Sequence, residues 1–200
     1  ALPICTTSAS GGPQNAISLT LDPTGGFDAS IGAPLPVRFD AIGFLEGGGI
    51  EADLTNVWGD LARLWALVDS PGFAFSGGTA TGSVRIVGPL NDPDFYGTLV
   101  AEQVTAGVDV VPDVLGPARS FIVFDEKVFQ VREATVPAGD ARARVGMEAI
   151  LDRWVPQEYR VSIVTVDDRP VRVAGDFGGV AVDGTAAGTL VVSGEPGITS

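Results

Sequence analysis

Paired carboxylates are the residues of this chain that come nearest to a catalytic spacing. Asp125-Glu126 and Asp167-Asp168 each set two acids side by side. Hydrolysis by two acids needs one carboxyl protonated and one ionised, placed on either side of the bond to be cut. Each pair instead sits between two alternating runs, with no catalytic motif around it, so a hairpin turn is expected. Asn91-Asp92-Pro93-Asp94 has the look of a calcium loop. It lacks the Gly that should follow, and although Glu102 falls at the twelfth position, the pattern between does not fit. Turn chemistry is expected there too. Gly47-Gly48-Gly49 and Gly77-Gly78 have no Lys, Ser or helix start with which to cradle phosphate. Histidine is absent from the chain, which removes the commonest general base and the commonest metal ligand together. Cys5 is the single cysteine and cannot form an internal disulfide. The expectation is a protein that is not an enzyme, with no catalytic or metal site and no cofactor.

Charge narrows the partners. Twelve Lys and Arg stand against 25 Asp and Glu, a formal net charge of −13 that repels phosphates and argues against nucleic acid. Hydrophobic residues make up 45% and charged residues 18%, which excludes a disordered chain of 200 residues. No uninterrupted apolar run reaches the ~18 residues that a membrane-crossing helix requires. Ala1-Leu2-Pro3-Ile4-Cys5 carries no basic region, so no signal peptide is expected within the chain.

The elements behind these residues are strands. Ile17, Leu19 and Leu21 alternate with Ser18, Thr20 and Asp22, and Asp22-Pro23-Thr24-Gly25-Gly26 turns the chain. Ala141, Ala143, Val145, Met147 and Ala149 alternate with Arg142, Arg144, Gly146 and Glu148, and Tyr159, Val161 and Ile163 continue the period of two. Roughly ten to thirteen strands of about four to ten residues are expected. One segment changes period. Leu54, Val57, Trp58, Leu61, Leu64, Trp65 and Val68 fall on one helical stripe, which predicts an amphipathic helix over 54–68. Gly184 to Gly194 repeats Gly78 to Gly88 at an offset of 106 residues (184 − 78).

Strands with one polar and one apolar face build antiparallel sheets, whereas parallel sheets need crossover helices that this chain lacks. One helix cannot cover a dozen strands. The predicted fold is therefore all-β: a long, largely antiparallel sheet, curled into a trough with an apolar concave face, plus one short amphipathic helix. Alternation puts Val84, Ile86, Leu99, Ala101, Phe129, Val131, Val145, Met147, Tyr159, Val161 and Ile163 on the lining face. A closed sandwich would use the same positions as ordinary core.

The order of features from Ile50 to Leu151 resembles the TamB family, the AsmA-like proteins of bacterial envelopes. An amphipathic stretch leads to Gly77-Gly78-Thr79-Ala80-Thr81-Gly82, then to a strand ending at Gly88 and an Asp-Pro-x-Phe-x-Gly turn from Asp92 to Gly97. Thr98-Leu99-Val100-Ala101, Phe121-Ile122-Val123-Phe124 and Phe129-Gln130-Val131-Arg132-Glu133-Ala134 follow. The resemblance implies a β-taco fold whose apolar groove carries phospholipid acyl chains between the inner and outer membranes. It also implies a periplasmic location, an inner-membrane tether outside this chain, and an Omp85-type partner reached through parts outside it. On this reading residues 1–200 are one section of a longer repeat-built protein. Strands occupy 1–49, a strand and the helix 50–76, the main unit 77–182 and the start of a next unit 183–200. Two other functions use the same features: a scaffold that assembles outer-membrane proteins by strand pairing, and a plain β-sandwich surface or adhesin module.

Overall fold

The computed structural model describes residues 17–69, 72–166, 169–176, 181–195 and 197–198. Cys5 and the pair Asp167-Asp168 lie outside them. The elements run β1 (Ile17–Leu21), β2 (Gly26–Ile31), β3 (Val37–Glu46), β4 (Gly49–Asp60), α1 (Leu61–Trp65) and β5 (Val68–Asp69). β6 (Phe73–Pro89), β7 (Asp94–Val108), β8 (Val111–Glu126), β9 (Val128–Ala138), β10 (Ala141–Asp152) and β11 (Val155–Thr165) follow. The last are β12 (Val171–Asp176), β13 (Ala181–Ala186), β14 (Thr189–Gly194) and β15 (Gly197–Ile198). Eleven strands form one antiparallel sheet in the order β1-β2-β3-β4-β6-β7-β8-β9-β10-β11-β14. The protein is all-β, as the alternation predicts.

Register carries the alternation across the whole sheet. Leu19, Ala29, Ala41, Leu54, Val84, Gly97, Phe124, Phe129, Ala149, Tyr159 and Gly194 are successive cross-strand partners, one from each of the eleven strands. Side chains in such a row share a face, so the sheet has one continuous apolar side.

The strands are longer than the Gly and Pro spacing implies. β6 has 17 residues, β8 16 and β7 15, and Gly77, Gly78 and Gly82 lie within β6 rather than ending it. A Cβ built at Gly97 would overlap the Ser83 carbonyl oxygen of the neighbouring strand. Glycine here permits close approach of β6 and β7 instead of marking a turn. Among the turns, Gly47-Gly48 and Leu90 to Pro93 fall where their residue types expect them, whereas the turn expected at Asp125-Glu126 falls at Lys127, with both acids at the end of β8.

The helix over 54–68 is overturned. β4 extends through Asp60 and α1 has only five residues, its first turn capped by Asp60 Oδ1, which accepts from the Arg63 amide at 3.1 Å. The cause is a β-bulge at Asn56, whose backbone takes a left-handed φ of 51°. Leu54 pairs with Val84 and Val57 with Gly82, so three steps on β4 match two on β6. The bulge puts Leu54 and Val57 on one face at helical spacing. The short α1 then continues the stripe.

The two copies of the Gly-Thr-Ala repeat are not one element. Gly78 to Gly88 lies inside β6, whereas Gly184 to Gly194 is split between β13 and β14 at Ala187-Gly188.

Candidate functional site

Eight of the eleven predicted lining residues are buried: Val84, Ile86, Leu99, Ala101, Met147, Tyr159, Val161 and Ile163. Phe129, Val131 and Val145 are half-buried and pack against them. All belong to one continuous core. A central row of partners, Val57, Gly82, Leu99, Ile122, Val131, Met147, Val161 and Val192, crosses eight strands through its middle.

What buries this face is the sheet itself. β6 and β11 are five strand steps apart, about 24 Å across a flat sheet at ~4.8 Å per step. Yet the Tyr159 ring of β11 lies 6.4 Å from the Phe73 ring of β6 and 6.3 Å from Trp65 of α1, centroid to centroid. Trp65 packs edge-on against Phe73 at 5.4 Å and Phe75 at 5.2 Å, and its indole N–H donates to the Phe73 carbonyl at 3.1 Å. The sheet therefore bends far enough to bring its own apolar face together. No strand ladder joins β6 to β11 directly: β6 pairs with β4 and β7, and β11 with β10 and β14.

A second closure pinches one end. The Lys127 ammonium, at the β8–β9 turn, donates to Asp92 Oδ1 at 2.6 Å and to the Asp92 and Pro93 carbonyls at 2.9 and 2.7 Å. It also lies 3.4 Å from Asp94 Oδ1. From the β10–β11 turn, the Arg153 amide reaches Asp92 Oδ1 at 3.2 Å and the Trp154 indole N–H reaches the Leu90 carbonyl at 2.9 Å. The Trp154 ring stands edge-on to Phe95 at 5.3 Å. Hydrogen bonding from Lys127 and then from the Arg153 amide holds the Asp92 carboxyl below its usual range. Desolvation lowers the Lys127 pKa, but its bonds to Asp92 and Asp94 outweigh this and raise it overall. The carboxylates that suggest a calcium loop thus hold a lysine.

The N-terminal wing is different. Ile17, Leu19 and Leu21 of β1 share the inner face by register, yet they are 58%, 46% and 45% exposed. Phe27, Ile31 and Phe39 beside them are half-buried. The outer face mixes charge with apolar side chains: Arg85 pairs with Glu51 across β4 and β6, and Ile42 and Phe44 of β3 stand 68% and 50% exposed there.

Alternation finds the lining residues but misses the aromatic closure. Phe73 and Phe75 alternate directly after a Pro-Gly pair, which marks a strand start. Nothing in that pattern says that Phe73 meets Tyr159, 86 residues along the chain (159 − 73). No protein-family model, no curated protein and no solved structure matches this chain.

Proposed function

We propose that the chain is a section of a TamB-like envelope protein in which phospholipid acyl chains run along the apolar inner face, taken up at the β1–β3 wing. The observation that carries this reading is the bare end of a continuous apolar face. Leu19 belongs to the same eleven-strand row as Tyr159, but it is 46% exposed where Tyr159 is 2% exposed. Each buried methylene contributes about 0.8 kcal/mol, so a uniform lining of Val, Ile, Leu and Ala holds a chain by many small terms without selecting one. Passage beyond the wing requires the β6–β11 seam to part. That seam consists of aromatic contacts worth about 0.5–1.5 kcal/mol each rather than a hydrogen-bonded ladder, so opening it leaves the ladders of both strands intact. The periplasmic location, the tether and the Omp85-type partner belong to this proposal.

The test is lipid mass spectrometry of the protein purified from a bacterial envelope, with photocrosslinkers placed at Leu19 and at Val161. Bound phospholipid and a lipid adduct at Leu19 are expected, and Leu21→Asp beside the probe on the same face should remove the adduct. A lipid-free protein with no adduct at either position would overturn the proposal in favour of a plain β-module. A second reading, a scaffold for outer-membrane protein strands, is favoured by β1 itself. Its five residues Ile17-Ser18-Leu19-Thr20-Leu21 are all exposed, with neither charge nor proline to guard a sheet edge. Crosslinks from Ser18 to nascent barrel strands, in place of lipid, would select it.

A further inference from the structure

The β12–β13 ribbon creates a pocket separate from the wing, at the opposite edge of the main sheet. A two-stranded ribbon is marginal alone. This one is docked by the buried Val171 and by the Ala174 amide, which donates to the Val110 carbonyl at 3.1 Å. Arg172 and Asp183 pair at 3.3 Å on its exposed side. Between the ribbon and the β11–β14 edge lies a pocket of about 160 Å³, with Ile163, Val171, Val173 and Leu190 among its walls. Its floor, Ile163 and Val171, is buried, and its mouth, Ala186 to Thr189, is exposed.

The polar groups at the rim bond one another. The Gly188 amide donates to Thr165 Oγ1 at 2.8 Å, and the Thr165 amide donates to the Gly188 carbonyl at 3.0 Å. A water inside would find few polar partners, and ordered waters need two to four. Enclosed apolar cavities of about 150 Å³ stay dry and take ligands of the size of benzene or xenon; this pocket has a similar volume but opens at Ala186 to Thr189. We propose that this pocket binds the end of an alkyl chain, about six carbons deep, with the rest of the molecule leaving past Ala187 and Gly188. One closed end and one exposed end fit a chain terminus rather than a whole small molecule. The inference stands apart from the conduit reading: loss of lipid crosslinks at Leu19 leaves it untouched.

The probes are xenon and 1-hexanol, read by methyl NMR on the whole chain. Saturable xenon shifts should concentrate on Ile163, Val171, Val173 and Leu190, and 1-hexanol should displace them. Val173→Phe fills the pocket and should abolish both effects. Leu190→Ala, on the partly exposed β14, enlarges the pocket mouth and removes apolar wall. It should weaken 1-hexanol binding about tenfold, the loss expected when two methylenes lose their burial. If Val173→Phe fails to fold, the Leu190→Ala comparison decides alone. Xenon shifts spread evenly over distant methyls, xenon that hexanol does not displace, or hexanol binding unchanged in Leu190→Ala would each overturn the proposal.

Discussion

A double-mutant cycle between Phe73 and Tyr159 tests whether the sheet meets itself at the β6–β11 seam. Both side chains are buried, at 4% and 2% exposure, and truncating either to Ala would cost about 3–5 kcal/mol. That is a large share of the ~5–15 kcal/mol that holds a domain together, so the milder Phe73→Leu and Tyr159→Leu are the useful variants. Each should destabilise by about 1–2 kcal/mol through lost packing. In a flat sheet the two residues stand about 24 Å apart, beyond the ~10 Å at which substitutions add independently. At a centroid separation of 6.4 Å, with Trp65 touching both rings, they should couple by about 0.5–1.5 kcal/mol. Urea unfolding of the four proteins, followed by far-UV circular dichroism, gives the coupling as the departure from additivity. A coupling below about 0.3 kcal/mol would refute the curled sheet, because contacts that do not exist cannot interact.

Two further outcomes follow from the same geometry. Val161→Asp places a carboxylate at a position with 0% exposure and no cation in the row, and should cost several kcal/mol and most of the folded protein. Leu19→Asp on the bare wing should stay within about 0.5 kcal/mol; thermal melts of the two variants check the contrast. The Lys127 clasp makes stability depend on pH at both extremes. Asp92 titrates below its usual 3.8, so its contribution is present above that value and is lost as pH falls through the lower folded value. Lys127 titrates above its usual 10.5, so its contribution is present below that value and is lost as pH rises through the higher folded value. The gap in melting temperature between wild type and Lys127→Met should be widest between about pH 4 and pH 10 and should narrow outside that window. A gap independent of pH would show that the ion pair contributes nothing.

Two features misled the reading of the sequence for separable reasons. The stripe from Leu54 to Val68 has helical spacing, but a left-handed Asn56 produces that spacing in a strand by adding one residue to one side of a ladder. Periodicity alone does not separate the two. Nothing local marks Asn56 as a bulge. The glycines at 77, 78 and 82 carry turn-like composition, but their role is set by the backbone of the opposing strand, which lies elsewhere in the chain. Conversely, the turns at Gly47-Gly48 and at Leu90 to Pro93 are legible, because Gly, Asn, Asp and Pro act locally.

Local order along the chain determined that this protein is a ladder of amphipathic strands with one apolar side. A period of two depends only on each residue and its neighbours, and it names the inward positions from Val84 to Ile163 without a structure. Tertiary structure alone decided what that side faces. Whether Leu99 and Val161 line an open trough or a filled interior depends on how far the sheet bends. That bend is set by contacts such as Tyr159 on Phe73, between residues whose separation no local pattern records. The same side is closed between β6 and β11 and bare at Ile17, Leu19 and Leu21, because only the former strands have a partner to fold onto among the described residues.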